Sequence, residues 1–118
     1  MAQREKQDIN MYQGDSRGYR FTFYTDEAQT TEWDFSAATE VIFTVKKTLD
    51  SSSALFSVTA TNSINGNDWA NGVAVFRPTS VQTALLDRNG KYDVQITLAG
   101  NKITPVYGDI VLQRQITL

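Results

Sequence analysis

The sequence predicts an all-β fold, a single antiparallel, immunoglobulin-like β-sandwich of about seven strands, on three observations. Apolar and polar residues alternate along most of the chain. Turn residues recur at roughly 8–12-residue spacing. One short stretch near 78–86 carries helical spacing, too little for a βαβ arrangement. With 118 residues, 41% hydrophobic and 11% aromatic, the chain suits one domain around one core.

Residues 1–8 are charged and aperiodic and read as a flexible N-terminal arm, frayed or ordered on a neighbouring subunit, ahead of a sandwich domain over 9–118. Ile9 to Gln13 reads as a short first strand, stopped by Gly14-Asp15-Ser16. In Gly18 to Thr25, Tyr19, Phe21 and Phe23 fall on one face and Arg20, Thr22 and Tyr24 on the other, as a period of two requires. After a polar loop over 26–32, Trp33 and Phe35 are placed to tuck back as a lid on one end of the core. Thr39 to Thr48 is the clearest strand: Val41, Phe43 and Val45 alternate with Ile42, Thr44 and Lys46, and the β-branched content agrees. A turn at Asp50-Ser51-Ser52-Ser53 returns the chain through Leu55 to Thr61 as a hairpin partner.

Asn62 to Asn71 is rich in Asn, Gly, Asp and Ser and reads as an exposed loop carrying Trp69. Gly72 to Arg77 is the next strand, ended by Pro78, which has no N–H for a ladder. Pro78 to Leu86 is the helical segment: Thr79 or Ser80 caps it, and Val81, Ala84 and Leu85 share the face that plugs an end of the sandwich. Asn89-Gly90 signals a turn into Lys91 to Leu98, with Tyr92, Val94, Ile96 and Leu98 inward. Ala99 to Lys102 reverses the chain into Ile103 to Val106, which Pro105 limits to an edge or a bulge. Gly108 restarts the chain into a last strand, Asp109 to Leu118, whose apolar face carries the discordant Arg114.

The formal charge is −2 and the Lys and Arg residues are scattered, so the basic stripe of a nucleic-acid-binding domain is missing. The chain has no Cys and no His. Disulfides and thiolate metal sites are therefore excluded, and the usual neutral-pH acid/base is gone, which weighs against an enzyme. No apolar run approaches the ~20 residues of a membrane span. The polar start lacks the apolar core of a signal peptide, so synthesis in a cytoplasm without export by that route is expected.

Gly14-Asp15-Ser16-Arg17-Gly18 holds residue types that cradle anions, but it lacks the Lys and long helix of a P-loop and reads as a β-turn. The carboxylates are spread as on a solvated surface rather than set as a glycosidase pair. Asn65-Gly66-Asn67-Asp68 offers oxygen ligands without EF-hand spacing. These patterns assign no catalytic, cofactor-binding or metal-binding residue. The aromatics Tyr12, Tyr24, Trp69, Phe76 and Tyr107 fall outside the main inward set. Contact with a protein partner is preferred over stacking on sugars or bases, because no polar cluster converges on any of them. Arg114 joins them as a residue expected at a subunit boundary, since burying it unpaired is costly.

The order of features also carries a resemblance: Gln13-Gly14-Asp15 after a short strand, an aromatic strand, Ala37 to Val45, Pro78-Thr79-Ser80 with Thr83-Ala84-Leu85, Gly90-Lys91-Tyr92-Asp93-Val94, and Gly108-Asp109-Ile110-Val111-Leu112. From about Ile9 onward this resembles small β-sandwich proteins of tailed bacteriophages, such as the N-terminal domain of the upper baseplate protein and related virion modules. The run Trp33 to Ala38 stands where that family often carries Asp-Leu-Thr-Gly. Baseplate and fibre proteins continue into a long C-terminal part, whereas this chain stops at Leu118, so a capsid-bound accessory or free-standing adaptor is expected as readily as a baseplate module. The resemblance implies a non-enzymatic structural protein located in the virion, assembled with other virion proteins and as a homo-oligomer, without cofactor, nucleic acid or membrane. The alternative is a carbohydrate-binding module using Trp69, Tyr24 or Tyr107 as its platform.

Overall fold

Alternating apolar residues produce strands along much of the chain in the computed structural model, which describes residues 5–26, 28–48 and 51–113. In chain order these are β1 (Glu5–Lys6), β2 (Ile9–Tyr12), β3 (Tyr19–Thr22), β4 (Glu40–Lys46), β5 (Phe56–Thr59), β6 (Val73–Phe76), β7 (Gly90–Leu98) and β8 (Asn101–Gln113). A single helical turn, α1 (Ser80–Thr83), and a 3-10 turn at Trp69–Asn71 interrupt them. The fold is all-β, in two sheets. A six-stranded sheet runs β1-β8-β7-β4-β5 with β2 also paired to β8, and a two-stranded sheet joins β3 to β6.

Two expectations about the sheets change. The larger sheet is mixed rather than wholly antiparallel, because β1 and β2 both run parallel to β8, with Glu5 opposite Val106 and Ile9 opposite Ile110. Within the expected arm, residues 5–8 lie along β8: Gln7 donates its N–H to the Tyr107 carbonyl at 2.9 Å. Residues 1–4 lie outside the described residues, as does the segment 114–118. The last two expected strands are one, β8, which passes through Pro105. The register shifts there, so that Thr104 and Pro105 together face Gln95. A bulge absorbs the missing N–H.

The reversal from β7 to β8 takes two residues, Ala99 at φ 52° and Gly100 at φ 81°, the backbone of a type I′ hairpin. Asn89-Gly90 is no tight turn; Gly90 begins β7, where a Cβ would sit 2.8 Å from the Lys46 carbonyl oxygen. The helix is capped as expected at Thr79, whose side chain accepts from the Gln82 N–H while the Gln82 side chain accepts from the Thr79 N–H. Its buried face is not the expected one. Thr83 and Leu86 are fully buried, whereas Val81 is 75% and Leu85 49% exposed.

The core lies between the sheets and is largely aromatic. From β3, Tyr19 and Phe21 reach Phe43 of β4 at ring separations of 6.2 and 6.3 Å, and Phe21 reaches Tyr92 of β7 at 5.9 Å. Phe76 of β6 packs on Phe43 at 5.5 Å. Trp33 and Phe35 close one end as expected, Phe35 packing between Phe23 and Trp69. Each ring of this size buries a large apolar area. Among the described residues, no helix is long and apolar enough to cross a membrane.

Candidate functional site

The candidate interface residues separate into three groups. Tyr12, Tyr24 and Tyr107 are half-buried and reach the surface. Tyr12 closes β2, with the Arg17 guanidinium 4.0 Å above its ring and Arg17 held by Asp15 at 3.1 Å. Tyr24 bridges to Glu32 just beyond β3. Tyr107 stands in β8 between Lys6 of β1 and Asp93 of β7.

Trp69 and Phe76 are corrections. Trp69 is only 6% exposed, packed on Phe35, and its indole N–H donates to Asn67 Oδ1 at 3.2 Å. Phe76 is fully buried between Phe21 and Phe43. Neither ring is presented to a partner or a sugar. Alternation misleads at β6 because the loop after β5 covers its outer face: Val73 and Val75 are buried as well. Arg114 lies outside the described residues.

That covering loop contains the residue whose role sequence patterning missed. Asn67, from the run that offers oxygen ligands without EF-hand spacing, is 7% exposed. Its side-chain amide donates to the Ile64 carbonyl at 2.8 Å and the Val75 carbonyl at 3.1 Å. Its Oδ1 accepts from the Val75 N–H at 2.8 Å and the Trp69 indole. Asn67 thus acts as a strand residue beside β6, and Asp68 continues the pairing with Val73. Asn-Gly-Asn ahead of a Trp was the available signal, since buried Trp needs an acceptor for its N–H.

Parts of several segments singled out in the sequence gather at one corner with their neighbours Leu86 and Asn89. Gln13 Nε2 donates to the Leu86 carbonyl at 3.2 Å, and Thr83 Oγ1 donates to the Asp15 carbonyl at 2.8 Å. Gly14 supplies the positive φ, 77°, that turns β2 away from β8. Leu86 Cδ1 packs against Gly90, and Asn89 Oδ1 accepts from the Leu112 N–H at 2.9 Å. Helix, first turn, β7 and β8 are joined there.

Beside that corner the N-terminal segment is held by four devices. Tyr92 donates its hydroxyl to the Gln7 carbonyl. Gly108 leaves room for that carbonyl, which a Cβ would overlap. Asp8 Oδ1 accepts from the Asp109 N–H at 3.0 Å. Lys6 lies 3.8 Å from both Asp8 and Asp109, and Lys91 pairs with Asp109. The hydrogen bond from Lys91 holds the Asp109 carboxyl below its ordinary range. Burial, reinforced by the Asp8 and Glu5 charges, pushes the Tyr92 phenol well above its ordinary value. Asp8, Asn89, Gly90, Lys91, Asp109 and Val111 line an open cleft of about 350 Å³.

This arrangement binds chain segments and holds charges in fixed places. Among the described residues, no three His, Cys, Asp or Glu side chains converge as metal ligands. No protein-family model matches the chain, and no curated protein matches it.

Proposed function

We propose that this chain is a structural, non-enzymatic protein of a tailed-bacteriophage particle, an accessory or adaptor that joins other virion proteins through protein–protein contacts and assembles as a symmetric oligomer. One observation carries the reading. Parts of four segments that carry the resemblance, Gln13-Gly14-Asp15, Thr83, Gly90 and Leu112, meet at one corner, Thr83 bonding Asp15 directly and the adjoining Leu86 and Asn89 linking the others. A set of residues joined in space behaves as one architectural signature.

The connectivity supports an immunoglobulin-like sandwich within that reading. Strands β3 and β6 correspond to B and E in one sheet, and β4, β7 and β8 to C, F and G in the other. The absence of His and Cys from the sequence supports a role without catalysis. Half-buried Tyr12, Tyr24 and Tyr107 supply surface aromatics of the kind enriched in interfaces.

The test is mass spectrometry of gradient-purified phage particles from a lysate that expresses this chain. The reading expects the chain in the particles at a copy number set by a ring or shell symmetry. Recovery only as free protein outside the particles contradicts it.

A further inference from the structure

The two-stranded sheet has one closed edge and one open edge. Phe23 donates its N–H to the Gly72 carbonyl at 2.8 Å, which fixes the alternation of the β3–β6 ladder. Tyr19 and Phe21 therefore point their backbone groups at β6, and Arg20 and Thr22 point theirs away. On β6 the outward groups are taken: Val73 exchanges hydrogen bonds with Asp68, and Val75 with the Asn67 carboxamide. On β3 they are not. Among the described residues no strand lies beyond Arg20 and Thr22.

That open edge is positively charged. Arg20 is exposed on the outer face of β3. Arg77, opposite Gly18 in the same register, lies across that glycine, its guanidinium carbon 3.5 Å from where a Cβ would be. Residues 18, 20, 22 and 24 share one face, so the edge presents the Arg77 guanidinium, Arg20, Thr22 and Tyr24 in succession. Among the described residues neither arginine has an ion-pair partner. The two cations stand out in a chain of net charge −2.

We propose that the outer edge of β3 is a strand-docking site for an extended acidic segment of a partner protein. The segment adds as a third strand to the β3–β6 sheet and sets carboxylates at alternate positions against Arg77 and Arg20. Backbone hydrogen bonds to Arg20 and Thr22 give affinity and the two guanidinium groups give selectivity. Pairing of β3 with a second copy of itself is disfavoured because it gathers arginines on one small sheet. The inference rests on the reading that the chain works by protein contact, and it names the surface and the partner's chemistry.

The experiment uses three capped eight-residue peptides that alternate valine with glutamate, glutamine or lysine, titrated against the full chain and followed by amide NMR and hydrogen exchange. The glutamate peptide is expected to bind and to slow exchange at the Arg20 and Thr22 amides. Arg20→Glu and Arg77→Glu each weaken it about fivefold, the scale of an exposed ion pair. The double variant prefers the lysine peptide. Thr22→Pro removes an outward N–H without breaking the β3–β6 ladder and abolishes binding. Equal binding of the three peptides, shifts at β5 or β1 instead of β3, or concentration-dependent self-pairing through β3 overturns the proposal. Particles that carry the Arg20→Glu/Arg77→Glu chain at the wild-type copy number overturn this edge alone. Particles that lack the wild-type chain overturn the virion reading alone.

Discussion

The Asn67 carboxamide pairs with both backbone groups of Val75, donating to the carbonyl at 3.1 Å and accepting from the N–H at 2.8 Å. A side chain thereby does the work of a neighbouring strand, and it simultaneously satisfies the buried Trp69 indole. Asn67→Ala strands three buried polar groups and is expected to destabilise the protein by about 3 kcal/mol. Urea unfolding measures the loss, and buried Trp69 should become accessible to fluorescence quenchers in the native state.

Tyr92 anchors the N-terminal segment through Gln7. Tyr92→Phe leaves the Gln7 carbonyl without that donor, at about 1 kcal/mol. Hydrogen exchange should quicken at the Gln7 and Asp109 amides and stay unchanged at Phe43. Gly108→Ala is expected to displace the same segment by overlap with the Gln7 carbonyl, with a larger fall in Tm.

Acid stability follows from Asp109. The Lys91 hydrogen bond lowers its folded pKa below the ordinary 3.8, so the folded state binds the proton more weakly than the unfolded one. The resulting stabilisation is complete above the unfolded value and is lost as pH falls through the folded value. Asp26, bonded by Thr30, and Asp34, bonded by Ser36, act in the same direction. Urea midpoints measured from pH 7 down to about 2 should decline below about pH 4. Asp109→Asn should make that decline shallower.

The helix offers a paired comparison. Leu86 is fully buried and Val81 is 75% exposed. Leu86→Ala should cost about 3 kcal/mol through the cavity it leaves, whereas Val81→Ala should change stability by less than about 0.5 kcal/mol. Denaturation of the two variants separates the buried face from the expected one.

Much of the fold was legible where one face of a strand is buried and the other wet. Tyr19, Phe21 and Phe23, and likewise Val41, Phe43 and Val45, alternate and are buried as read. Local chemistry was equally clear at Thr79 and at Ala99-Gly100, where capping and turn geometry depend on neighbours in sequence. What stayed hidden depends on distant chain. The parallel pairing of Ile9 with Ile110 joins opposite ends of the sequence, and no local pattern encodes it. Phe76 and Trp69 were misplaced because the loop before β6 folds over that strand and buries both of its faces. Val81 and Leu85 were misread because a single helical turn buries only what its flanks tie down, here Thr83 through Asp15 and Leu86 through Gln13.

The most direct measurement compares amide hydrogen exchange of the isolated chain with that of the chain in purified particles. Slowed exchange at Arg20 and Thr22, with Val75 already protected by Asn67 in both samples, is the predicted result. Identical exchange along β3 in the two samples, or particles without the chain, contradicts it.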